Sequence, residues 1–312
     1  MAKQKVLLVV DVKNWAFDHI ARSLVTFSSA FDYTIIYHND LKITKYETFD
    51  IIHFFHWSLY YHWKKGGFTK QPRQIITLGI HGFHNSPEEL EYLGEVDSVS
   101  VICKSLEDHI NSYEKKVPVY YCPDGVDTAF FRKKRAILRQ NTINIGWTGN
   151  SAWGWDNKDT KGLYTIIKPA LEGVANRVKL HIADRNIKWR TPAEMVEWYN
   201  DMDVIICASS CEGTPLPLLE ASACGRAVLT TRVGIVPEFY NGLNCIIFDR
   251  NKEALREAIE NLSRESIAQV AENAFKSVRS WSRKDLVKNY EKMWNQVTRR
   301  FINITASSVL NN

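Results

Sequence analysis

Short continuous apolar runs recur along the chain and alternate with segments whose apolar positions fall three and four apart. The first half carries KVLLVVD (5–11), YTIIYH (33–38), DIIHFF (50–55), QIITLGI (74–80), SVSVIC (98–103) and VPVYYC (117–122). The second carries INIGWTG (143–149), VKLHIAD (178–184), DVIICAS (203–209), AVLTT (227–231) and NCIIFD (244–249). Between them lie helical patterns, among them WAFDHIARSLVTFSSAF (15–31), SLEDHINSYEKK (105–116), KGLYTIIKPALEGV (161–174) and TPAEMVEWYN (191–200), and the end reads as helical from about 251 to 302. Unbroken apolar strands separated by helices predict α/β folding, with parallel sheets covered on both faces. The charged, turn-rich PDGVDTAFFRKKR (123–135) separates the two sets and reads as a linker. Two doubly wound domains facing a cleft follow, with ligands expected beyond the carboxyl ends of the strands.

Composition narrows this picture. A length of 312 residues suits two domains, and 45% hydrophobic and 24% charged residues suit packed cores with an ordinary soluble surface. The formal charge of +5 favours anionic partners without choosing among them. No stretch has the length of a membrane span, and the apolar start ends at Asp11, as a first strand and not a signal peptide. The six cysteines form no Cys-x-x-Cys pair and read as reduced thiols of a cytoplasmic protein. In HFFHWSLYYHW (53–63) no carboxylate or cysteine joins the histidines at ligand spacing, so a metal site is not expected there.

The candidate chemistry lies in SSCEGTPLPLLEASACG (209–225), where an apolar strand feeds a polar turn and a short helix. Thr214 is placed as N-cap, Pro215 as the first helical residue and Gly225 as the stop. Free N–H groups at a helix start form an anion site. Pro215 and Pro217 remove two donors, which leaves the N–H groups of Gly213, Thr214 and Leu216 and the Thr214 hydroxyl as a phosphate cradle. On spacing alone two readings of the carboxylates stand. Glu220 and Glu212 contact a ligand, or Glu220 merely complements the helix dipole and Glu212 is a solvated loop residue.

The segment EGTPLPLLEASACGRAVLTTRVGIVPEFYNGLNCIIFD (212–249) resembles the signature of retaining, family 4 glycosyltransferases with the GT-B fold: Glu, seven residues, Glu, a small-residue helix ending in Gly, then a "GG-x-P-E" turn and an "NG" turn. DGVDTAFF (124–131) is similar to the family's interdomain segment, and IGWTGN with Lys161-Gly162 to its phosphate-binding pair. WYNDMDVIICAS (198–209) is similar to its approach to the first Glu, DIIHFFHW (50–57) and LGIHGFHN (78–85) to its His-bearing strand ends, and WSRKDLVKNYEKMW (281–294) to its closing helix.

The resemblance implies two Rossmann-like domains. One is N-terminal, 1–123, on the acceptor side and completed by 281–312; the other is C-terminal, 124–280, on the donor side, with the last helix crossing back. It implies metal-independent transfer of a hexosyl or pentosyl group, with retained configuration, from a nucleotide-sugar co-substrate and no other cofactor, a UDP-sugar being slightly favoured. Glu220 would bind ribose, the turn of Gly213, Thr214, Pro215 and Leu216 the diphosphate, Lys161 the leaving charge, and Glu212 and His81 the transferred sugar. His53 and His56 read as satisfied structural residues, with His56 kept on the acceptor side beside Trp15 and Asp18.

Two departures stand out. Asn150 occupies the place of the family's Arg, with Lys158 or Arg185 as substitutes, and DVKNWAFDH replaces the glycine-rich loop after the first strand. The implied acceptor is a glycan, a lipid-linked glycan or a small molecule. A modified base in nucleic acid, a non-catalytic nucleotide-binding role and peripheral membrane contact are the alternatives. RKKR (132–135) reads as a solvated linker face sooner than a polyanion contact.

Overall fold

The computed structural model describes residues 3–83, 92–113, 117–137, 141–152, 158–174 and 177–310. Contacts divide the chain into two units, Met1–Asp124 with Arg283–Asn312, and Gly125–Ser282.

The first unit alternates β1 (Lys5–Val10), α1 (Ala16–Phe27), β2 (Asp32–Tyr37), β3 (Ile51–Phe54), α2 (Trp57–Lys65), β4 (Ile75–Ile80), β5 (Ser98–Val101), α3 (Lys104–Asn111) and β6 (Val119–Tyr121). The strands form one parallel sheet of order β2-β1-β3-β4-β5-β6. β3, β4 and β5 are buried along their whole length, as strands covered on both faces must be. The predicted strands are present. Residues 114–116 of the predicted helix 105–116 lie outside the described residues, as do His84 and Asn85 of LGIHGFHN.

The second unit runs β7 (Ile143–Gly149), a π-turn (Leu163–Ile167) continued by α4 (Lys168–Glu172), β8 (Val178–Asp184), α5 (Pro192–Asn200), β9 (Val204–Cys207), α6 (Leu216–Ala223), β10 (Ala227–Thr230), α7 (Val236–Phe239), β11 (Ile246–Ile247), α8 (Lys252–Glu260) and α9 (Arg264–Ser277). Its parallel sheet has the order β11-β10-β9-β7-β8. Ile145, Val204, Ala227 and Leu229 pack with Ile167, Ala170, Leu255 and Ile267 in one core. The π-turn has a local cause. Pro169 has no N–H, and the Ile167 N–H reaches back five residues to the Gly162 carbonyl at 2.8 Å.

The chain then returns to the first unit as α10 (Arg283–Leu310), which packs on α1 and β4–β6. Trp294 is fully buried there, 5.6 Å edge-on from the Phe31 ring, and its indole N–H donates to Thr77 at 3.3 Å. The helical C-terminus expected from the sequence is three α-helices with two interruptions, the second a 3-10 turn (Val278–Trp281). Among the described residues no helix is long and apolar enough to cross a membrane.

Candidate active site

In the second unit β7 lies between β8 and β9, so the chain leaves β7 to one side and returns on the other. Loops that follow neighbouring strands there diverge and leave a crevice at the carboxyl end of the sheet. Of these loops the described residues 150–152, 158–162 and 208–215 hold most of the second unit's candidate residues.

These loops are fastened before they present anything. Asp159 accepts the N–H groups of Leu163, Tyr164 and Thr165 at 2.6–3.1 Å, which satisfies the first donors of the helical segment. The Ser210 N–H donates to the Thr160 carbonyl at 2.9 Å. Arg250 bridges both loops, with Nε to the Ala208 carbonyl at 2.9 Å and Nη2 to that of Asp159 at 2.8 Å. Gly162 sits at φ +70°, and a Cβ there would stand 2.5 Å from the Ala208 oxygen. Only glycine allows both that angle and that approach.

The fastened loops bring Lys161 to Glu212. The ammonium and Glu212 Oε1 are 2.5 Å apart, and the Ser209 hydroxyl donates to the same oxygen at 2.7 Å. The side chains are 20% and 14% exposed, so the pair is screened less than a surface ion pair.

The turn after Glu212 differs from the expected capping. α6 begins at Leu216, with Pro215 as N-cap and no side-chain cap bond, and Thr214 lies outside the helix. The Leu216 N–H is not available as a phosphate donor, because it bonds the Thr214 carbonyl at 2.8 Å across Pro215 (φ −71°, ψ 76°), an inverse γ-turn. Pro217 in the first turn removes the donor that a capping hydroxyl would have met. The N–H groups of Gly213 and Thr214 have no hydrogen-bond partner among the described residues, and the Thr214 hydroxyl is buried and unpaired. Gly225 does end the helix: its N–H bonds Ser222 and the next one, of Arg226, bonds Ala221.

The loop after β10 closes the turn from behind. The Ile235 N–H donates to the Gly213 carbonyl at 3.0 Å. Gly234 has φ +52°, and any Cβ there would overlap that carbonyl oxygen. The Thr231 hydroxyl adds a bond to the Ser209 carbonyl at 2.7 Å. Glu220, in α6, is half-buried and accepts the Tyr199 hydroxyl at 2.7 Å on Oε2.

At the end of β7, the Asn150 Oδ1 accepts the Ala152 N–H at 3.0 Å and closes a local turn. The Arg185 N–H is anchored on the Gly149 carbonyl at 2.8 Å, so this exposed arginine starts beside Asn150. Lys158 is exposed, and residues 153–157 between it and Asn150 lie outside the described residues. In the 132–135 stretch Lys133, Lys134 and Arg135 face carboxylates, and exposed Arg132 reaches the Ala129 carbonyl. Lys134 and Arg135 meet Glu197, Arg135 also meets Asp201, and Lys133 faces Glu272. The arrangement is that of the solvated face expected from the sequence.

In the first unit His81 follows β4. Its Nδ1 stands 3.6 Å from Asp124 Oδ1, and its ring meets Phe17 edge-on at 4.6 Å. Its Nε2 is buried against Gly79 without a hydrogen bond. His56 is the N-cap of α2 and accepts the Ser58 N–H at 3.3 Å. Asp18 does not face a ligand. It is fully buried and accepts from Arg22, the Asn14 N–H and Tyr37, so that, although burial alone would raise it, these bonds hold its carboxyl below the ordinary value. Trp15 is 42% exposed at the start of α1. His53 lies inside β3, not at its end, bonded to Thr77 at 2.8 Å, and burial pushes its imidazole down to about 3.

Sequence reasoning missed Asp159, Ser209, Arg250, Tyr199 and Gly234. Gly234 carried a signal through the turn in which it stands, and Tyr199 and Ser209 through the 198–209 stretch that leads to the first Glu. Among the described residues no three His, Cys, Asp or Glu side chains are placed to hold a metal ion.

Residues 165–265, which include both glutamates, match the family described as "Glycosyl transferases group 1". A glycosyltransferase from Rickettsia africae is 15% identical, with a TM-score of 0.67, over 95% of this chain and 99% of that one. Sucrose-phosphate synthase from Thermosynechococcus elongatus is 11% identical, with a TM-score of 0.73, over 96% and 100%. Anabaena HepE in complex with UDP and glucose is 14% identical, with a TM-score of 0.67, over 95% and 99%. No curated protein matches. The chain has the GT-B fold of these glycosyltransferase structures.

Proposed function

We propose that the chain is a retaining, metal-independent glycosyltransferase that moves a sugar from a nucleoside diphosphate sugar to an acceptor hydroxyl. The observation that carries this is the meeting of Lys161, Glu212 and the unpaired donors of Gly213 and Thr214 at the switch point of one sheet. A cation with fixed donors suits a diphosphate, and it stabilises most where the leaving group gains charge.

In this reading Lys161, the two N–H groups and the Thr214 hydroxyl hold the leaving diphosphate. Glu220 takes the ribose hydroxyls. Glu212 exchanges part of its bond with Lys161 for hydroxyls of the transferred sugar. The bond from the anomeric carbon to the phosphate oxygen breaks as the acceptor oxygen bonds that carbon on the same face. The acceptor proton passes to the departing phosphate. Arg185, beside Asn150, supplies the second phosphate cation. The UDP in the Anabaena neighbour supports a UDP-sugar as donor. The acceptor in this reading is a glycan, a lipid-linked glycan or a small molecule.

The test is incubation with UDP-, GDP-, ADP- and CMP-sugars, following release of nucleotide and reading the anomeric configuration of the product by NMR. Release from one series with retention, absent in Glu212→Gln, is expected. Inversion overturns the mechanism, and nucleotide binding without release reduces the chain to a binding protein.

A further inference from the structure

Tyr199 is a fully buried polar group near the candidate site, and the proposed function gives it no role. It stands at the end of α5 with no exposed surface. Its hydroxyl donates to Glu220 Oε2 at 2.7 Å. Phe131 and Trp198 flank its ring at 6.1 and 5.3 Å, edge-on.

The helix that carries Tyr199 is fixed at both ends. At its start, Thr191 and Glu194 form a reciprocal capping box. At its end, Asn200 accepts the Lys134 N–H at 2.7 Å and donates to the Arg132 carbonyl at 3.1 Å. Buried Arg226 adds donations to the carbonyls of Met202 and Arg135. The Tyr199 oxygen is thus a fixed point, and burial, followed by the nearby Glu220 charge, keeps its phenol protonated far above its ordinary range.

A glutamate side chain has three soft torsions, and recognition of a vicinal diol needs its carboxylate plane in one orientation. The hydrogen bond from a fixed phenol selects that orientation before the ligand arrives. We infer that Tyr199 is a positioning residue which aims Glu220, and that it thereby sets how strongly the site discriminates a nucleotide with a free ribose diol from one without. The inference rests on the reading of Glu220 as the ribose ligand. Tyr199 touches no ligand itself; it acts through the carboxylate.

The experiment compares wild type, Tyr199→Phe and Glu220→Ala by calorimetric titration. The probes are whichever of UDP, GDP, ADP and CDP binds, its 2′,3′-dideoxy counterpart, and inorganic pyrophosphate. Wild type is expected to prefer the ribonucleotide by about tenfold or more, as a charge-assisted bond would give. Glu220→Ala is expected to abolish the preference. Tyr199→Phe is expected to reduce it about three- to tenfold, with pyrophosphate binding unchanged. If Tyr199→Phe weakens all three probes alike, or leaves the preference intact while Glu220→Ala abolishes it, Tyr199 is only a structural residue and the inference falls alone. If Glu220→Ala keeps the preference, or no nucleotide binds wild type, the ribose reading falls and takes the inference with it. The melting temperature of Tyr199→Phe, read alongside, separates unfolding from lost aim.

Discussion

Lys161 and Glu212 hold each other, so each is conditioned by the other. Replacing Lys161 by Ala leaves a mostly buried carboxylate with Ser209 as its remaining donor in that group. We expect a loss of roughly 1–3 kcal/mol in urea unfolding, as for a buried acceptor stripped of its partner. We expect nucleotide diphosphate binding to fall at least tenfold as well, since the cation for the leaving group is gone. Glu212→Gln is expected to behave differently. It removes the charge that opposes Lys161, so diphosphate affinity is kept or raised while turnover falls by roughly two orders of magnitude or more. Equal loss of binding in both variants would show that the pair is structural. At this scale the sequence was partly legible. The Glu-x7-Glu spacing marked both carboxylates, but nothing in it showed that Lys161, 51 positions away, would sit on Glu212. The Thr214 cap failed for a physical reason, because the second proline of TPLP shifts the helix start and turns the Leu216 N–H inward.

Among elements, the site is three loops bonded to one another at the end of one sheet. Gly234 is the tightest joint, with a positive φ and its Cα against the Gly213 carbonyl. Gly234→Ala must either move the turn or strain it, at a cost of at least about 2 kcal/mol from backbone strain and overlap together. The expected result is a lowered urea midpoint together with weakened nucleotide binding. A variant of full stability with normal binding would show that the loop after β10 does not shape the turn. Strands and helices were readable because continuous apolar runs and the 3.6 period each have one explanation. The joints were not, since Asp159, Arg250 and Gly162 act through backbone carbonyls and N–H groups that carry no residue pattern. Asp18 misled for a related reason: a carboxylate after a strand end looks like a ligand contact, yet here it satisfies α1 and its own neighbours.

For the whole molecule, stability should depend on pH through His53. Its imidazole titrates near 3 when folded and near 6.5 when unfolded. Between those values the unfolded chain binds a proton that the folded chain excludes. Stability is therefore full above about pH 6.5 and falls on acidification by roughly 1.4 kcal/mol per pH unit within the window. Urea midpoints at pH 7.5 and 5.0 should show the fall in wild type and less of it in His53→Gln, which can keep the bond to Thr77. The same slope in both proteins would remove His53 as the cause. The fold at this scale was the most legible part, since β–α alternation and the 123–135 break define two α/β units. The specificity of the acceptor was the least, because loop shape and backbone contacts set it.

The central claim is that the turn after β9 holds a nucleoside diphosphate. The most direct measurement is the melting temperature of wild type, Lys161→Ala and Glu220→Ala with UDP, GDP, ADP and CDP, each at a large excess. A ligand at a hundred times its dissociation constant stabilises by about 2.7 kcal/mol, a shift of several degrees. The account predicts that one nucleotide, UDP first, raises the melting temperature of wild type, and raises that of either variant by about half as much or less, as a tenfold weaker site would give. A shift undiminished in both variants, or none with any nucleotide, would contradict it.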